Sequence, residues 1–447
     1  MDMVHGPLLR LLVAFAIPIM LSGLLQLLFN AADIAVVGRF TGSDALAAVS
    51  ASSPISNAIV SLFMGLSVGA NVLCAQYTGG HRDEDLRQTV HTAIAVSLVI
   101  GLVILVIGLS LTGVLLRALD TPEEILPLAR RYLLIYFFGL PSTMLYNFGA
   151  AILRALGNTK RPLLYLTISG ALNVCLNLFF VIVLHRGVEG VAIATVISQT
   201  LSAFLVITHM MRSDTLYHLE LRRVKIHRDK LVRILKIGIP AGIQSSSFSI
   251  SNLLIQSAVN SFGAQVMAAS AVAVNVESFC NMALDALAQA AISFTGQNFG
   301  AGNLKRIDRI LLYTVALGCA WAITLGSLAY QAAPRILGIY TDDLQVIAYG
   351  REIMFVICHL LFINCVMNIP FNVIRGMDHS LFPMVSTIFC VCVLRVAWLY
   401  TVFAAFRSLT VLYLSYPVTK GLAATTGIVY YLLLRKKLRR QAGVLTS

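Results

Sequence analysis

The chain has 447 residues, 58% hydrophobic and only 12% charged, with a net charge of +13 and a mean hydropathy of +0.83. Soluble proteins carry about 25% charged residues, so this composition excludes a soluble globular domain and points to a polytopic membrane protein. Lys and Arg fall almost entirely between apolar runs, which argues against a nucleic-acid face.

Twelve apolar runs are long enough to cross a bilayer: 11–37, 47–77, 86–116, 126–153, 163–184, 188–211, 232–261, 265–298, 307–331, 345–374, 383–406 and 409–434. The expected fold is all-α, with twelve transmembrane helices. The first run is too long for a signal peptide and lacks a cleavage site, so it reads as the first span. In it Ser22, Gln26, Asn30 and Asp33 share one helix face. An acid inside a membrane helix costs about 2.5–3.5 kcal/mol near the centre and is read by default as part of a pathway or relay. The alternative is an acid near the helix end that reaches the interface beside Arg39.

AQYTGGHRDEDLRQ (75–88), LDTPEEILP (119–127) and GQNFGAGNLKR (296–306) read as turns. Span five carries Ser169, Asn173 and Asn177 on one face, and span six Thr195, Gln199 and Ser202. Beside span one these groups could hydrogen-bond an ionised Asp33, so that it takes a proton on one side and releases it on the other. The alternative is interhelical glue. The long hydrophilic connection from Arg212 to Lys236 divides the chain into an N-lobe (1–211), a linker (212–231) and a C-lobe (232–447). Span seven offers Asn252 and Gln256 on a polar wall. Span eight carries Glu277, Asn281 and Asp285. Arg395 and Lys420 lie deep in spans eleven and twelve, so these acids and bases either line a substrate cavity or pair with one another.

With both termini cytoplasmic, 23 of the 33 Lys and Arg fall in inner segments and eight in outer ones, which fixes that orientation by the positive-inside rule. The basic linker and tail are then topology determinants and lipid head-group contacts. The eight cysteines sit in or at the ends of apolar runs and read as small apolar residues, without disulfide or metal spacing. No metal or cofactor is expected beyond a coupling ion. There is no P-loop pattern and hence no ATPase motor in the chain. A membrane enzyme ranks lowest, since the one adjacent acid pair near a membrane edge, Asp342-Asp343, falls in an outer loop.

The halves resemble each other. IPIMLSGLLQLLFN (17–30) aligns with IPAGIQSSSFSISN (239–252), and LRALGNTKRP (153–162) with IRGMDHSLFP (374–383). Six spans per unit implies two lobes related by a pseudo-two-fold axis along the membrane normal. Pro18 and Pro240, at equivalent points, are candidate hinges. These features, with Gln26, Asp33 and Gly38, the pair AQYTGG/GQNFGAG, ALNVCLNLFFV (171–181) and GVEGVAIATVISQ (187–199), resemble the multidrug and toxic compound extrusion (MATE) transporters over nearly the whole chain. The resemblance implies a monomer in the inner or plasma membrane that exports bulky, often cationic small molecules in exchange for H⁺ or Na⁺. It places the coupling site at Asp33, Asn173 and Thr195. The family often has a second acid where this chain has Asn177, and that departure favours H⁺ over Na⁺. Gln26, Asn30, Gln199, Gln256, Glu277, Asn281, Asp285 and Arg395 are the candidate cavity residues. A lipid-linked precursor flippase of similar architecture is the alternative; only Arg395 and Lys420 would serve its pyrophosphate.

Overall fold

A computed structural model describes residues 1–118, 121–213 and 215–444, excepting the side chains at 54, 58 and 442–444. Leu119 and Asp120 of the LDTPEEILP turn lie outside the described residues. Twelve long helical segments follow one another: α1 (Leu8–Phe40), α2 (Ser43–Gly79), α3 (Asp83–Ala118), α4 (Leu126–Ala155), α5 (Lys160–Val183), α6 (Gly187–Arg212), α7 (Arg228–Asn260), α8 (Ala264–Gly300), α9 (Leu304–Tyr340), α10 (Leu344–Gly376), α11 (Leu381–Phe403) and α12 (Leu409–Val444). Ten of them are long and apolar enough to cross a membrane on length and composition alone. The other two, α7 and α12, are diluted by serines and by basic ends.

The burial pattern is that of a membrane bundle. On α3, Thr89, Thr92, Ser97 and Thr112 are buried, while Leu98, Leu102, Val106 and Val114 are exposed. Thr89, Ser97 and Thr112 return their hydroxyls to carbonyls of their own helix, Thr112 to Gly108 at 2.5 Å. α1 and α7 run on through Pro18 and Pro240, each of which lacks the amide hydrogen that would close a helical bond. The turns into α2 and α8 are made by Gly42 and Gly263, at φ 90° and 95°, where an L side chain would be strained.

The chain condenses into two compact units. The first holds Met1 and Leu21–Gly242, the second Asp2–Met20 and Ile243–Ser447. The units therefore do not follow the two halves of the chain. The opening stretch of α1 is built into the second unit, and the opening stretch of α7 into the first.

In the first unit α4 packs on α2, α3 and α6, around Phe137, Leu133, Met144 and Ile104. The start of α7 lies against α2 through glycines. A Cβ added at Gly65 would sit 2.1 Å from the Gly242 nitrogen, one at Gly69 2.2 Å from the Ile234 carbonyl, and one at Gly238 2.7 Å from the Leu66 Cα. Gly65/Gly69 and Gly238/Gly242 are both small-xxx-small pairs, which allow helix backbones to touch. The linker belongs to this unit as well. Glu220 N–H donates to His91 at 3.2 Å and His227 N–H to Thr92 at 3.1 Å. Lys230 donates to Asp85, and its ammonium holds that carboxyl, which precedes the apolar run of α3, below the usual carboxylate range. Arg233 donates to Tyr77 Oη at 2.8 Å.

In the second unit α8 packs on α9 and α10, and α12 on α10. The start of α1 is seated here: Leu12 and Phe15 pack with Ala290 and Phe294, the Phe15 and Phe294 rings standing edge to face at 5.4 Å. Asn298 Nδ2 donates to the Met3 carbonyl at 3.1 Å, and Arg306 to the carbonyls of Met3 and Gly6. The tail is held at Asp308, which pairs with Arg435 and Arg439 at 2.8 Å each. These two tail cations, read from sequence as lipid contacts, are internally paired. Arg375, read from sequence as lying between spans, is buried within α10, donating to Asn372 at 2.9 Å and to Gln244.

Candidate functional site

Each unit contains a polar cluster. In the first unit the C-terminal part of α1 approaches α5 closely. A Cβ on Gly170 would fall 1.8 Å from Phe29 Cε2, so the Phe29 ring occupies the space a side chain would fill. One helical turn beyond Phe29, Asp33 accepts a hydrogen bond from Asn177 Nδ2, and the same nitrogen lies 3.4 Å from Asn173 Oδ1. Asn177 is fully buried and Asn173 nearly so. Asn177 Oδ1 is buried without a partner. The residue read from sequence as a departure is thus Asp33's direct neighbour. Thr195 is not brought to the acid; its hydroxyl bonds the Val191 carbonyl of its own helix at 2.9 Å. Gln199 lies with its amide oxygen buried against Gly139 of α4. Gln26 and Asn30 are exposed.

In the second unit a cavity of about 410 Å³ gathers Gln256, Glu277, Asn281, Asp285 and Arg395, together with Asn252, Lys420 and Tyr416. Lys420 Nζ is 3.8 Å from Glu277, so one acid and one base do pair. Arg395 does not. Among the described residues its hydrogen-bond acceptors are neutral: Ser251 at 2.9 Å, Thr419 at 3.3 Å and Asn252 at 3.5 Å. Its guanidinium lies 4.3 Å over the Tyr416 ring. It is 1% exposed, and its Nε has no partner.

An amide ladder leads away from this cavity. Asn364 donates to Asn281 at 2.7 Å and Asn368 to Asn364 at 3.1 Å; Asn372 donates to the Asn368 carbonyl at 2.9 Å and meets Arg375. Asn364 and Asn368 are not among the cavity residues expected from sequence. Their i, i+4, i+8 spacing with Asn372 was the available signal. Nothing in these clusters resembles a metal centre, and no group of three or more His, Cys, Asp or Glu positioned for a metal occurs among the described residues.

The sequence profile of the MatE family matches two separate stretches, 18–179 and 240–401, together well over half of the chain. The chain belongs to the MatE family. It is an integral membrane secondary transporter, not an enzyme. It is 29% identical over 392 residues to the Probable multidrug resistance protein YoeA of Bacillus subtilis, covering 86% of this chain and 84% of that one. It is 21% identical to the multidrug export protein MepA of Staphylococcus aureus over 80% and 79% of the two chains. Its fold matches the outward-facing structure of a multidrug resistance MATE transporter with a TM-score of 0.91 at 23% identity, over 98% of each chain. It matches equally, at 0.91 and 24% identity over 98% of each, a Pyrococcus furiosus transporter whose binding pocket is described as reversed in polarity.

The two matched stretches are equally long and displaced by 222 residues. The turns 153–162 and 374–383, however, are displaced by 221. The second half has therefore gained one residue after 383. α11 has π-turns at Ile388–Val393 and Leu399–Phe403, where α5 has one, at Phe179–Val183. A π-turn closes its hydrogen bond one residue later than an α-turn, so it absorbs an insertion without breaking the helix. With that shift Arg395 stands where Asn173 stands in the first half, and Ile255 where Asp33 stands. The Asn173 position thus carries a base in the second half, and the Asp33 position carries no charge.

Proposed function

We propose that this MatE transporter exports bulky, cationic or amphipathic compounds from the cell by alternating access, in exchange for protons bound at Asp33. Both termini and the linker face the cytoplasm, following the distribution of Lys and Arg. The carrying observation is the Asp33–Asn177–Asn173 cluster: a carboxyl inside an apolar helix, bonded by the Asn177 amide, which in turn meets Asn173. A carboxylate there accepts from Asn177, and on protonation its own hydroxyl seeks an acceptor, which the unpartnered Asn177 Oδ1 supplies after a flip of the amide. Uptake of a proton therefore rearranges the contact between α1 and α5. A hard Na⁺ ion would want further charged oxygens, and Asn177 offers none. The names of YoeA and MepA support drug export as the task.

The test is transport in proteoliposomes with H⁺ and Na⁺ gradients imposed separately. A pH gradient should drive efflux and a Na⁺ gradient should not. Asp33→Asn should abolish the proton-driven component while the protein still purifies as a folded species. Proton-driven efflux that persists in Asp33→Asn would refute the role. The flippase reading keeps one point in its favour, Arg395 and Lys420 in a single cavity. With Lys420 paired to Glu277, however, one cation is left for a pyrophosphate. It would be revived by lipid-pyrophosphate binding that Arg395→Ala abolishes.

A further inference from the structure

We propose that the hollow between the start of α3 and the linker binds the phosphate head group of an anionic membrane lipid. The site is independent of the cargo and of the coupling ion. The hollow measures about 500 Å³ and lies wholly within the first unit. Four permanent cations line it, Arg87 from α3 and Arg222, Arg223 and Lys225 from the linker, against two carboxylates, Glu84 and Glu220. Both carboxylates are engaged: Glu220 pairs with Arg223 at 2.8 Å, and Glu84 accepts from Gln88 at 3.1 Å. Arg87, Arg222 and Lys225 are exposed and make no ion pair among the described residues. Exposed cations need no partner for stability, so that alone assigns nothing. What marks this place is that the chain builds its walls. Beyond one short 3₁₀ turn, Leu221–Arg223, this part of the linker has no helix before α7, yet its backbone is bonded to α3 on both sides of the basic residues. Glu220 N–H donates to His91 Nε2 at 3.2 Å, and His227 N–H to Thr92 at 3.1 Å. His91 Nδ1 donates to the Arg87 carbonyl at 2.7 Å, so both ring nitrogens are used in holding the wall. The linker cations are thereby kept beside Arg87 in one hollow. Two guanidinium forks and an ammonium suit the three free oxygens of a terminal phosphate better than the two of a carboxylate. The surroundings point to a lipid as its source. α3 and α7 both enter their apolar runs here, at Leu86 and Leu231, and among the cations Leu221 and Ile226 stand 57% and 41% exposed. Large apolar side chains set between Arg and Lys at the ends of membrane helices suit a lipid surface, and a phosphate in open water gains nothing from them. A lipid phosphate held by Arg87, Arg222 and Lys225 ties the linker to α3 at a defined point, in place of a diffuse attraction between a basic segment and the membrane.

The experiment follows thermal unfolding of the purified full chain in phosphatidylcholine nanodiscs doped with either phosphatidic acid or a fatty acid at equal charge. It is run at about 0.15 M salt, where exposed charges more than about 8 Å apart are largely screened. Phosphatidic acid should raise the melting temperature saturably, as a ligand of the folded chain does, and the fatty acid should not. Equal protection by the two overturns the proposal, and this arm needs no variant to fold. Arg87→Gln and Arg222→Gln should each require about tenfold more phosphatidic acid for the same protection, the worth of one charge-assisted contact. Lys236→Gln removes an equal charge from an exposed residue outside the hollow and should match wild type. A loss in Lys236→Gln as large as in Arg87→Gln shows diffuse attraction and overturns the site. Inorganic phosphate alone should not protect; protection by it equal to that of the lipid assigns the hollow to a free phosphate and overturns the lipid source.

Discussion

Asp33 and Asn177 form the most informative side-chain contact in the first unit. Asn177→Ala removes the donor to Asp33, a loss of about 1.5–3 kcal/mol for a hydrogen bond to a charged group. The expected phenotype is proton-driven efflux that needs a more alkaline interior to run, seen as a shifted pH profile; an unchanged profile would show the contact to be structural. Asn177→Asp places a second acid beside the first and supplies the charged oxygens a hard cation wants. That variant should acquire efflux driven by a Na⁺ gradient, or Na⁺-dependent thermal protection, absent in the native chain. Asp33 was legible in the sequence because an acid in an apolar run stands out, and its neighbours on α5 because Ser169, Asn173 and Asn177 share a face. Thr195 was not, since a threonine in a helix can equally return its hydroxyl to the carbonyl one turn back. Arg375 misled for another reason: a lone arginine beside a glycine turn has the pattern of a loop, and only the Gln244 side chain from a remote helix makes it a core residue.

At the scale of helices, the apolar runs predicted all twelve segments, because length and hydropathy are local properties. What a helix packs against is not local. The Gly65/Gly69 and Gly238/Gly242 pairs were available as small-xxx-small spacings, yet nothing in one sequence says that they face each other. Gly242→Val should force α7 away from the Leu62 carbonyl, 2.2 Å from the added Cβ, at a cost of about 1–3 kcal/mol. Gly113→Ala is the control, because nothing lies within 4 Å of its Cβ position. A thermal-shift series in detergent should rank Gly242→Val well below both wild type and Gly113→Ala. Similar melting for all three would mean that α2 and the start of α7 separate without loss. Gly170→Leu has a different signature, since it displaces Phe29 and with it the turn carrying Asp33. Coupling should fail there before folding does. The π-turns of α11 were invisible to hydropathy, which is unchanged by one inserted residue; they emerge only when two displacements, 221 and 222, are set against each other.

For the whole molecule, the decisive feature is that the chain passes between its two units within α1, after Met20, and within α7, after Gly242, besides the step at Met1. Pro18 and Pro240 each stand two residues ahead of a crossing. The hydrophilic linker, the obvious place to divide the chain, lies wholly inside the first unit and is hydrogen-bonded to α3. Cutting the chain at 213–215 should therefore yield two pieces that copurify when expressed together and are unstable apart; stable, monodisperse single pieces would contradict the exchange. The same arrangement sets an order of events during synthesis. The opening twenty residues leave the ribosome first, but the side chains that receive them, Ala290, Phe294, Asn298 and Arg306, are translated several hundred positions later. The first bundle likewise waits for the stretch ending at Gly242. A nascent chain must hold the start of its leading helix uncommitted until most of its length has entered the bilayer, and premature termination anywhere before Gly242 leaves no finished unit for quality control to spare.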